Sequence, residues 1–184
     1  MMHKTDMRQD IQEILLTEEQ IRTRVQEMGK VLTEEYRGKE PVVIGILKGV
    51  VPFYTAMTQA MDLPMVQDFM VISSYSGTES TGSVVIRQDL RVSIEGRHVL
   101  LLEDIVDSGL SLSRMVSILK DRKPASLKVC TLLDKPSGRK VSFTPDMVGF
   151  TVPDAFVVGY GLDYNEHYRN LPFVGIVKKE VYTD

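Results

Sequence analysis

The sequence predicts an α/β protein with an open, mainly parallel twisted sheet flanked by helices. The runs of strand length over residues 42–47, 99–102 and 126–133 are mainly apolar, as is typical of parallel strands covered on both faces. Segments with the spacing of amphipathic helices lie between these runs. Strands that alternate with helices in this way favour a parallel sheet over an antiparallel one.

The first helix is marked by a capping signal. Thr17 followed by Gln20 forms a capping-box pattern, and Gly38 offers a stop. Apolar residues recur between them at helical spacing, at Ile21, Val25, Met28 and Leu32. Pro41 then introduces the strand over 42–47, and a second helix is predicted over 51–61.

The later elements continue the alternation. Residues 68–74 are predicted to be a strand, 77–82 a polar glycine-containing loop, and 84–87 a short ribbon strand. The strand over 99–102 leads through a glycine turn into a third helix, with apolar positions at Leu112, Met115, Val116 and Leu119. After the strand over 126–133, further strands are predicted at 147–151, 156–158 and 174–178.

Length and composition limit the classes of function. The 184 residues fit one domain, which we divide into a core over about 38–160 and a small hood formed by about 1–37 and 161–184. A net charge of -3 argues against a broad basic face for nucleic acid. No secretory signal pattern and no apolar run of the ~20 residues needed to cross a bilayer are present. We therefore expect a cytoplasmic protein without membrane or nucleic-acid partners.

The chemistry is concentrated in the segment that follows residues 99–102. Glu103, Asp104 and Asp107 provide carboxylates at the strand end, and Ser108 and Ser111 provide hydroxyls beside a glycine at the start of a helix. Magnesium prefers carboxylate, water and phosphate oxygens, and a helix N-terminus binds phosphate. Alternatively, the acidic residues are only solvated and the serines only cap the helix. Neither a Walker-type loop nor a dinucleotide-binding glycine pattern is present.

Taken whole, this segment resembles the phosphoribosyl pyrophosphate signature of type I phosphoribosyltransferases, in which an apolar strand leads into Glu-Asp, two apolar residues, Asp, Ser or Thr, and Gly. The resemblance implies a type I phosphoribosyltransferase-like fold, and Asp107 as the general base. It also implies Mg²⁺ as cofactor, with Glu103, Asp104 and Asp163 as the metal-binding candidates. The implied ribose-phosphate site consists of Glu103, Asp104, Asp107, Ser108, Gly109, Leu110 and Ser111.

Four further segments are similar to the hypoxanthine and hypoxanthine-guanine phosphoribosyltransferases. The implied pyrophosphate-binding residues are Lys48, Gly49, Ser74, Tyr75 and Arg169, with the Ser74-Tyr75 pair on a mobile lid. The implied purine-binding residues are Lys135, Phe156, Val157 and Asp163. In this family the lysine recognises the exocyclic oxygen of the base and the phenylalanine stacks on its ring. Leu110 and Val50 depart from some relatives, which carry Lys and Gly or Ala there.

The resemblance implies a purine-salvage enzyme. It would transfer the phosphoribosyl group of phosphoribosyl pyrophosphate to hypoxanthine and guanine, giving IMP or GMP and pyrophosphate. It also implies a homodimer or homotetramer. Two alternatives stay open from the residues: a regulatory protein that keeps this fold but binds RNA or DNA, and a transferase for xanthine, adenine or a pyrimidine.

Overall fold

The computed structural model describes residues 6–74 and 84–183. Its main element is a six-stranded sheet with the strand order β4-β3-β2-β5-β6-β7, in which all pairs are parallel except β3 with β4. The strands are β2 Val42–Leu47, β3 Val66–Ser74, β4 Val84–Gln88, β5 His98–Val106, β6 Ser126–Asp134 and β7 Met147–Thr151. The predicted open, mainly parallel sheet is confirmed.

Three helices of ten or more residues cover this sheet in the described ranges. They are α1 Glu18–Tyr36, α2 Val51–Ala60 and α3 Leu110–Asp121. The predicted capping box is present at the start of α1: Gln20 N–H donates to Thr17 Oγ1 at 3.2 Å, and Thr17 N–H donates to Gln20 Oε1 at 2.8 Å. None of the helices in the described residues has the length and apolarity needed to cross a membrane.

The two faces of the large sheet carry separate apolar cores. Helices α1 and α2 bury Ile21, Phe53 and Met57 against one face, together with strand residues such as Leu100 and Leu102. Helix α3 packs on the other face, where Met115 and Leu119 contact the strand residues Ile44, Val99 and Leu101. Alternate residues of β2 and β5 thus enter different cores, which explains why both strands are continuously apolar.

A second, antiparallel sheet has the strand order β1-β9-β8 and joins the two ends of the chain. Its strands are β1 Ile11–Leu16, β8 Val157–Val158 and β9 Val174–Val177, followed by a single helical turn, α4, Lys179–Tyr182. The buried Tyr168 hydroxyl donates to Asp10 Oδ2 at 2.8 Å across this region. We call this sheet and the loops attached to it the hood.

The sequence-based boundaries differ from the structure in a few places. Helix α1, grouped with the hood by sequence, packs in the core of the large sheet. Strand β5 continues to Val106, because Glu103 pairs with Thr131 and Val106 with Asp134. Strand β1 had no predicted counterpart, and the predicted loop over 77–82 lies outside the described residues.

Candidate active site

Three predicted segments follow the carboxyl ends of neighbouring parallel strands. Lys48 and Gly49 come directly after β2, Asp107 follows β5, and Lys135 follows β6. Ligands of open α/β sheets bind at this edge. The structure therefore gathers these segments where the sequence analysis expected them.

The carboxyl groups of Glu103 and Asp104 form the acidic end of β5. Glu103 Oε2 is buried and has no hydrogen-bond partner among the described residues, and burial raises the pKa of this carboxyl well above its usual value. Burial also raises the pKa of Asp104 to about 6, although the Ile105 N–H, at 2.7 Å from Oδ1, and the Arg169 charge oppose the rise. Both groups are energetically unfavourable as lone carboxylates.

Gly49 is required by its close approach to this acidic end. A Cβ atom at Gly49 would lie 1.7 Å from Asp104 Oδ2, and one at Gly161 would lie 1.8 Å from the Gly49 carbonyl oxygen. No other residue type leaves room for these contacts. The loop after β2, the carboxyl of Asp104 and the hood loop at Gly161 are consequently packed as one unit.

The turn between β5 and α3 has the geometry of a phosphate cradle. Gly109 adopts a φ of 76°, in the left-handed region that favours glycine, and helix α3 begins at the next residue, Leu110. A cavity of about 140 Å³ is lined by Glu103, Asp107, Ser108, Gly109 and Ser111, among others. Its hydroxyls and its position at a helix N-terminus suit an anion.

Asp107 and Lys135 are in direct contact across this edge of the sheet. Lys135 Nζ lies 2.9 Å from Asp107 Oδ2, and Asp154 Oδ1 lies 4.0 Å from the same ammonium. The Lys135 side chain is 14% exposed, whereas that of Asp107 is 49% exposed. A Cβ atom at Gly138 would lie 1.7 Å from Asp107 Oδ1, so this glycine admits the carboxylate.

On the hood side, charged residues pair with one another. Arg169 Nη2 lies 2.9 Å from Asp163 Oδ1 and 3.2 Å from Glu166 Oε1. The second Glu166 oxygen accepts from Lys48 Nζ at 2.8 Å. These two cations lower the pKa of the Glu166 carboxyl, through side-chain hydrogen bonds first and through charge second. Lys48 and Arg169, both expected to bind pyrophosphate, thus share one carboxylate.

Phe156, the expected base platform, lies in an aromatic cluster. The Tyr182 ring stacks on it with centroids 4.8 Å apart and an interplanar angle of 22°. The Tyr164 ring meets it edge-on at 5.6 Å. Phe156 is still 38% exposed, and Val157, the next residue, pairs with Ile176 in the hood sheet. One part of the Phe156 ring therefore stays available to a ligand.

The strand-end carboxylates fit a hard divalent cation in part. The unpartnered Glu103 oxygen and the raised pKa values indicate buried carboxyl groups that a bound cation would help to ionise. Within the described ranges, however, no group of three or more His, Cys, Asp or Glu is placed to hold a metal ion. Magnesium commonly completes its shell with water and substrate phosphates, so such a site would need a phosphorylated ligand.

A cavity larger than the one at the strand end does not coincide with this chemistry. A space of about 590 Å³ lies between α3 and β6, lined by residues such as Ser117, Lys120 and Phe143, and it contains none of the predicted site residues. The strand end has the smaller cavity but holds the buried carboxylates and the glycine turn. We place the site at the strand end for that reason.

The contacts described above do not test every residue that the sequence analysis assigned to the site. They also involve residues that the sequence analysis did not assign to it. Ser74 is the last residue of β3, and Tyr75 lies outside the described residues. Sequence reasoning missed Tyr182, Asp154 and Gly138. Of these three residues, only Gly138 had a feature that the sequence analysis could have used: it is a glycine, which permits close packing, three residues after Lys135.

Comparison with known proteins identifies the family. Residues 12–165 match the family described as phosphoribosyl transferase domain. The hypoxanthine-guanine phosphoribosyltransferase of Bacillus subtilis is 52% identical over 177 residues, which cover 96% of this chain and 98% of that protein. The hypoxanthine-guanine-xanthine phosphoribosyltransferase of Tritrichomonas foetus is 46% identical, with 99% and 100% covered. The chain spans 28% of the length of the bifunctional protein TilS/HprT of Listeria innocua, at 51% identity.

Solved structures agree with the sequence relatives. A crystal structure of a hypoxanthine phosphoribosyltransferase from Staphylococcus aureus superposes with a TM-score of 0.95 at 47% identity, covering 100% of both chains. The Trypanosoma cruzi hypoxanthine phosphoribosyltransferase in complex with its product IMP gives a TM-score of 0.89 at 42% identity, covering 94% of this chain and 97% of that one. The chain therefore belongs to the phosphoribosyltransferase family and, within it, to the hypoxanthine-guanine phosphoribosyltransferases.

Proposed function

We propose that this chain transfers the phosphoribosyl group of phosphoribosyl pyrophosphate to hypoxanthine and guanine, giving IMP or GMP and pyrophosphate. The single observation that carries the proposal is the 2.9 Å contact between Lys135 Nζ and Asp107 Oδ2 beside the glycine turn of α3. This contact puts a donor for a purine oxygen and a proton acceptor at one point. Family membership with hypoxanthine-guanine enzymes supports the same substrates.

The base site discriminates by hydrogen bonding. An ammonium such as Lys135 only donates, so it pairs with the exocyclic oxygen of an oxopurine and finds no comparable acceptor on an aminopurine. Binding of the base exchanges part of the Lys135–Asp107 contact for base contacts. Asp107 then accepts the proton from the imidazole ring of the purine as the other ring nitrogen bonds to the ribose. Phe156 and the Val157 backbone contact the base face and its polar edge.

The turn from Ser108 to Ser111 holds the ribose phosphate. Backbone N–H groups at the start of α3, together with the serine hydroxyls, are the donors for the phosphate oxygens. Glu103 and Asp104 hold the ribose hydroxyls, with Asp163 a further carboxylate for the metal. Glu103, Asp104 and Asp163 would hold a Mg²⁺ ion, whose positive charge would stabilise the charge that develops on the pyrophosphate.

Lys48 and Arg169 neutralise the leaving pyrophosphate. Lys48 is held on Glu166 at an exposed position, and the partly buried Arg169 is held on Glu166 and Asp163. Phosphate oxygens would compete with these carboxylates for the two cations. The resemblance implies that the Gly49 backbone contacts the pyrophosphate and that Ser74 and Tyr75 belong to a lid over it; Tyr75 lies outside the described residues. Closure excludes water that would hydrolyse the activated sugar.

A direct assay tests this function. Purified protein is mixed with phosphoribosyl pyrophosphate, Mg²⁺ and one base at a time, and the nucleotide is identified. We expect IMP and GMP, and their loss when EDTA removes the metal. Activity confined to adenine or uracil would contradict the base assignment, and RNA binding without nucleotide formation would favour a regulatory role. Xanthine is included because the Tritrichomonas foetus relative is named for it.

We also expect a cytoplasmic homodimer or homotetramer, as the resemblance implies. Light scattering on the purified chain distinguishes these two assemblies from a monomer. Sedimentation at several protein concentrations would show whether the assembly dissociates in the concentration range of the assay.

A further inference from the structure

Arg139 makes an unusual set of contacts next to the site. It follows the 3₁₀ turn Pro136–Gly138. Its Nη1 donates to the Val106 carbonyl at 2.9 Å and to the Asp107 carbonyl at 2.6 Å. Its Nη2 forms an ion pair with the carboxylate of Asp134. One planar group thus bonds the end of β5, the start of the following loop and the end of β6.

These contacts are shielded from solvent. The side chains of Arg139 and Asp134 are 15% and 14% exposed, whereas those of the Lys48–Glu166 pair are 67% and 63% exposed. A pair removed from water keeps its geometry, and loss of one partner leaves an uncompensated charge. The guanidinium is also a rigid fork whose donors have fixed directions.

The bonded backbone groups immediately adjoin the two residues that meet in the site. Asp107 is held through its own carbonyl oxygen, and Lys135 is the residue after Asp134. Lys135 N–H donates to the Val106 carbonyl at 2.9 Å, so that oxygen accepts from both Arg139 and Lys135. The arginine therefore sits where the Asp107 loop and the Lys135 loop are joined.

We propose that Arg139 is a positioning residue that fixes Asp107 and Lys135 relative to each other, and so sets the distance between the proton acceptor and the base-recognising ammonium. The inference rests on the roles of Asp107 and Lys135 in the proposed function. Arg139 acts through the backbone and touches no substrate. Displacement of a reacting group by about 1 Å can cost about 100-fold in rate.

Three variants test this role. Arg139→Met keeps most of the aliphatic stem and removes every hydrogen-bond donor. In the parent protein this stem packs on the phosphate turn, where Arg139 Cδ would lie 3.1 Å from a Cβ atom at Gly109. Arg139→Lys keeps the charge opposite Asp134 but not the fork. Arg24→Met is the matched control, because Arg24 also donates to two consecutive carbonyls, those of Val148 and Gly149, at 3.0 Å each, and pairs with Glu27.

The measurements are kcat, the KM for hypoxanthine, the KM for phosphoribosyl pyrophosphate, and thermal unfolding. For Arg139→Met we expect kcat to fall about 10- to 100-fold and the KM for hypoxanthine to rise several-fold. The KM for phosphoribosyl pyrophosphate should change by less than about threefold, since the stem that packs on the phosphate turn remains. Arg139→Lys should recover part of kcat. Arg24→Met should keep kcat and both KM values while losing less thermal stability than Arg139→Met, because the Arg24–Glu27 pair is more exposed.

The inference is overturned if Arg139→Met folds and keeps kcat and the KM for hypoxanthine within about twofold of the parent protein. If Arg139→Met does not fold, Arg139→Lys decides, and parent-like kinetics in that variant overturn it. Asp107→Asn and Lys135→Met separate this failure from failure of the proposed function. If these two retain parent-like kinetics, the assigned roles of Asp107 and Lys135 are wrong; if they lose activity and Arg139→Met does not, only the positioning role is wrong.

Discussion

The two sides of the site balance their charges in opposite ways. On the side of the large sheet, the carboxyl groups of Glu103 and Asp104 are buried and their pKa values are raised. On the hood side, Lys48 and Arg169 are more exposed and are paired with Glu166 and Asp163. The first side lacks a positive ligand. The second already pairs its two cations with two carboxylates, so an anion must compete with those carboxylates.

The largest effect is expected from a change to Asp107, which contacts Lys135 between the loop after β5 and the loop after β6. In Asp107→Asn the proton acceptor is lost while the shape is kept, and we expect kcat to fall by about 100-fold or more, because general bases contribute about 10²–10⁴ in rate. Product binding should weaken far less. Steady-state kinetics and IMP titration measure both quantities. Asp154→Asn is the control at the same lysine, and equal turnover in both variants would contradict the base role of Asp107.

The next effect concerns stability at the acidic strand end. Asp104 has a pKa of about 6 in the folded protein against an ordinary value of 3.8, so its contribution favours folding below about pH 4 and is lost as pH rises through 6. Asp104→Asn should therefore raise the free energy of unfolding of the ligand-free protein at pH 7 by about 3 kcal/mol, because the folded-state pKa of about 6 lies about two units above 3.8 and each unit corresponds to about 1.4 kcal/mol. It should also abolish or strongly reduce activity.

Urea denaturation of the variant and the parent protein at pH 4, 5, 6 and 7 measures this difference. The gap between the two curves should open as pH rises. Asp89→Asn provides the opposite control, because a side-chain hydrogen bond from Arg122 lowers the pKa of Asp89. Loss of the Asp89 charge should slightly lower the free energy of unfolding at pH 7. If the difference in the free energy of unfolding between Asp104→Asn and the parent protein does not depend on pH, burial of the ionised Asp104 carboxyl is not its cause.

A smaller effect is expected from the aromatic cluster of the hood. Tyr182→Ala removes the ring stacked on Phe156, and aromatic pairs contribute about 0.5–1.5 kcal/mol, so the KM for the base should rise about three- to tenfold. The KM for phosphoribosyl pyrophosphate should stay unchanged. Tyr182→Phe keeps the stacking and should behave like the parent protein. Base kinetics unaffected by Tyr182→Ala would mean that Phe156 needs no support from the C-terminal turn.

The smallest effect is expected from a variant that releases Lys48 and Arg169 from Glu166. Glu166→Gln removes the carboxylate shared by Lys48 and Arg169, and we expect the Kd for pyrophosphate to fall about twofold, because exposed ion pairs contribute only about 0–1 kcal/mol. Isothermal titration with pyrophosphate and Mg²⁺ measures it. Glu34→Gln, which breaks the exposed pair with Arg37 on α1, is the matched control. Weaker pyrophosphate binding in Glu166→Gln would instead assign Glu166 to the bound state.

Local patterns predicted the large sheet well. The apolar runs of β2 and β6 and the capping box of Thr17 depend on neighbours in the chain, and their positions agree with the structure. The continuation of β5 through Glu103 and Asp104 could not be read locally. Polar residues there are strand residues only because β6 runs beside them. Strand β1 was missed for the same reason, since its partner β9 lies more than a hundred residues away.

The candidate site shows the same limit. The resemblance named Asp107, Lys135, Phe156 and Arg169, but not which charges neutralise which. The sharing of Glu166 by Lys48 and Arg169, and the stacking of Tyr182 on Phe156, are contacts between distant segments. Such pairings depend on how the hood meets the large sheet. A single sequence contains no local signal for that arrangement.

The strand order of the hood has a consequence for synthesis on the ribosome. Strand β8, which follows Phe156 directly, pairs only with β9 among the described strands, and β9 in turn pairs with β1. Strand β1 therefore finds its partner only after β9 has been made, while β2, β3, β5 and β6 can assemble earlier. Phe156, the proposed base platform, can take its final place only after synthesis has passed β9, whereas the turn from Ser108 to Ser111 can form before that.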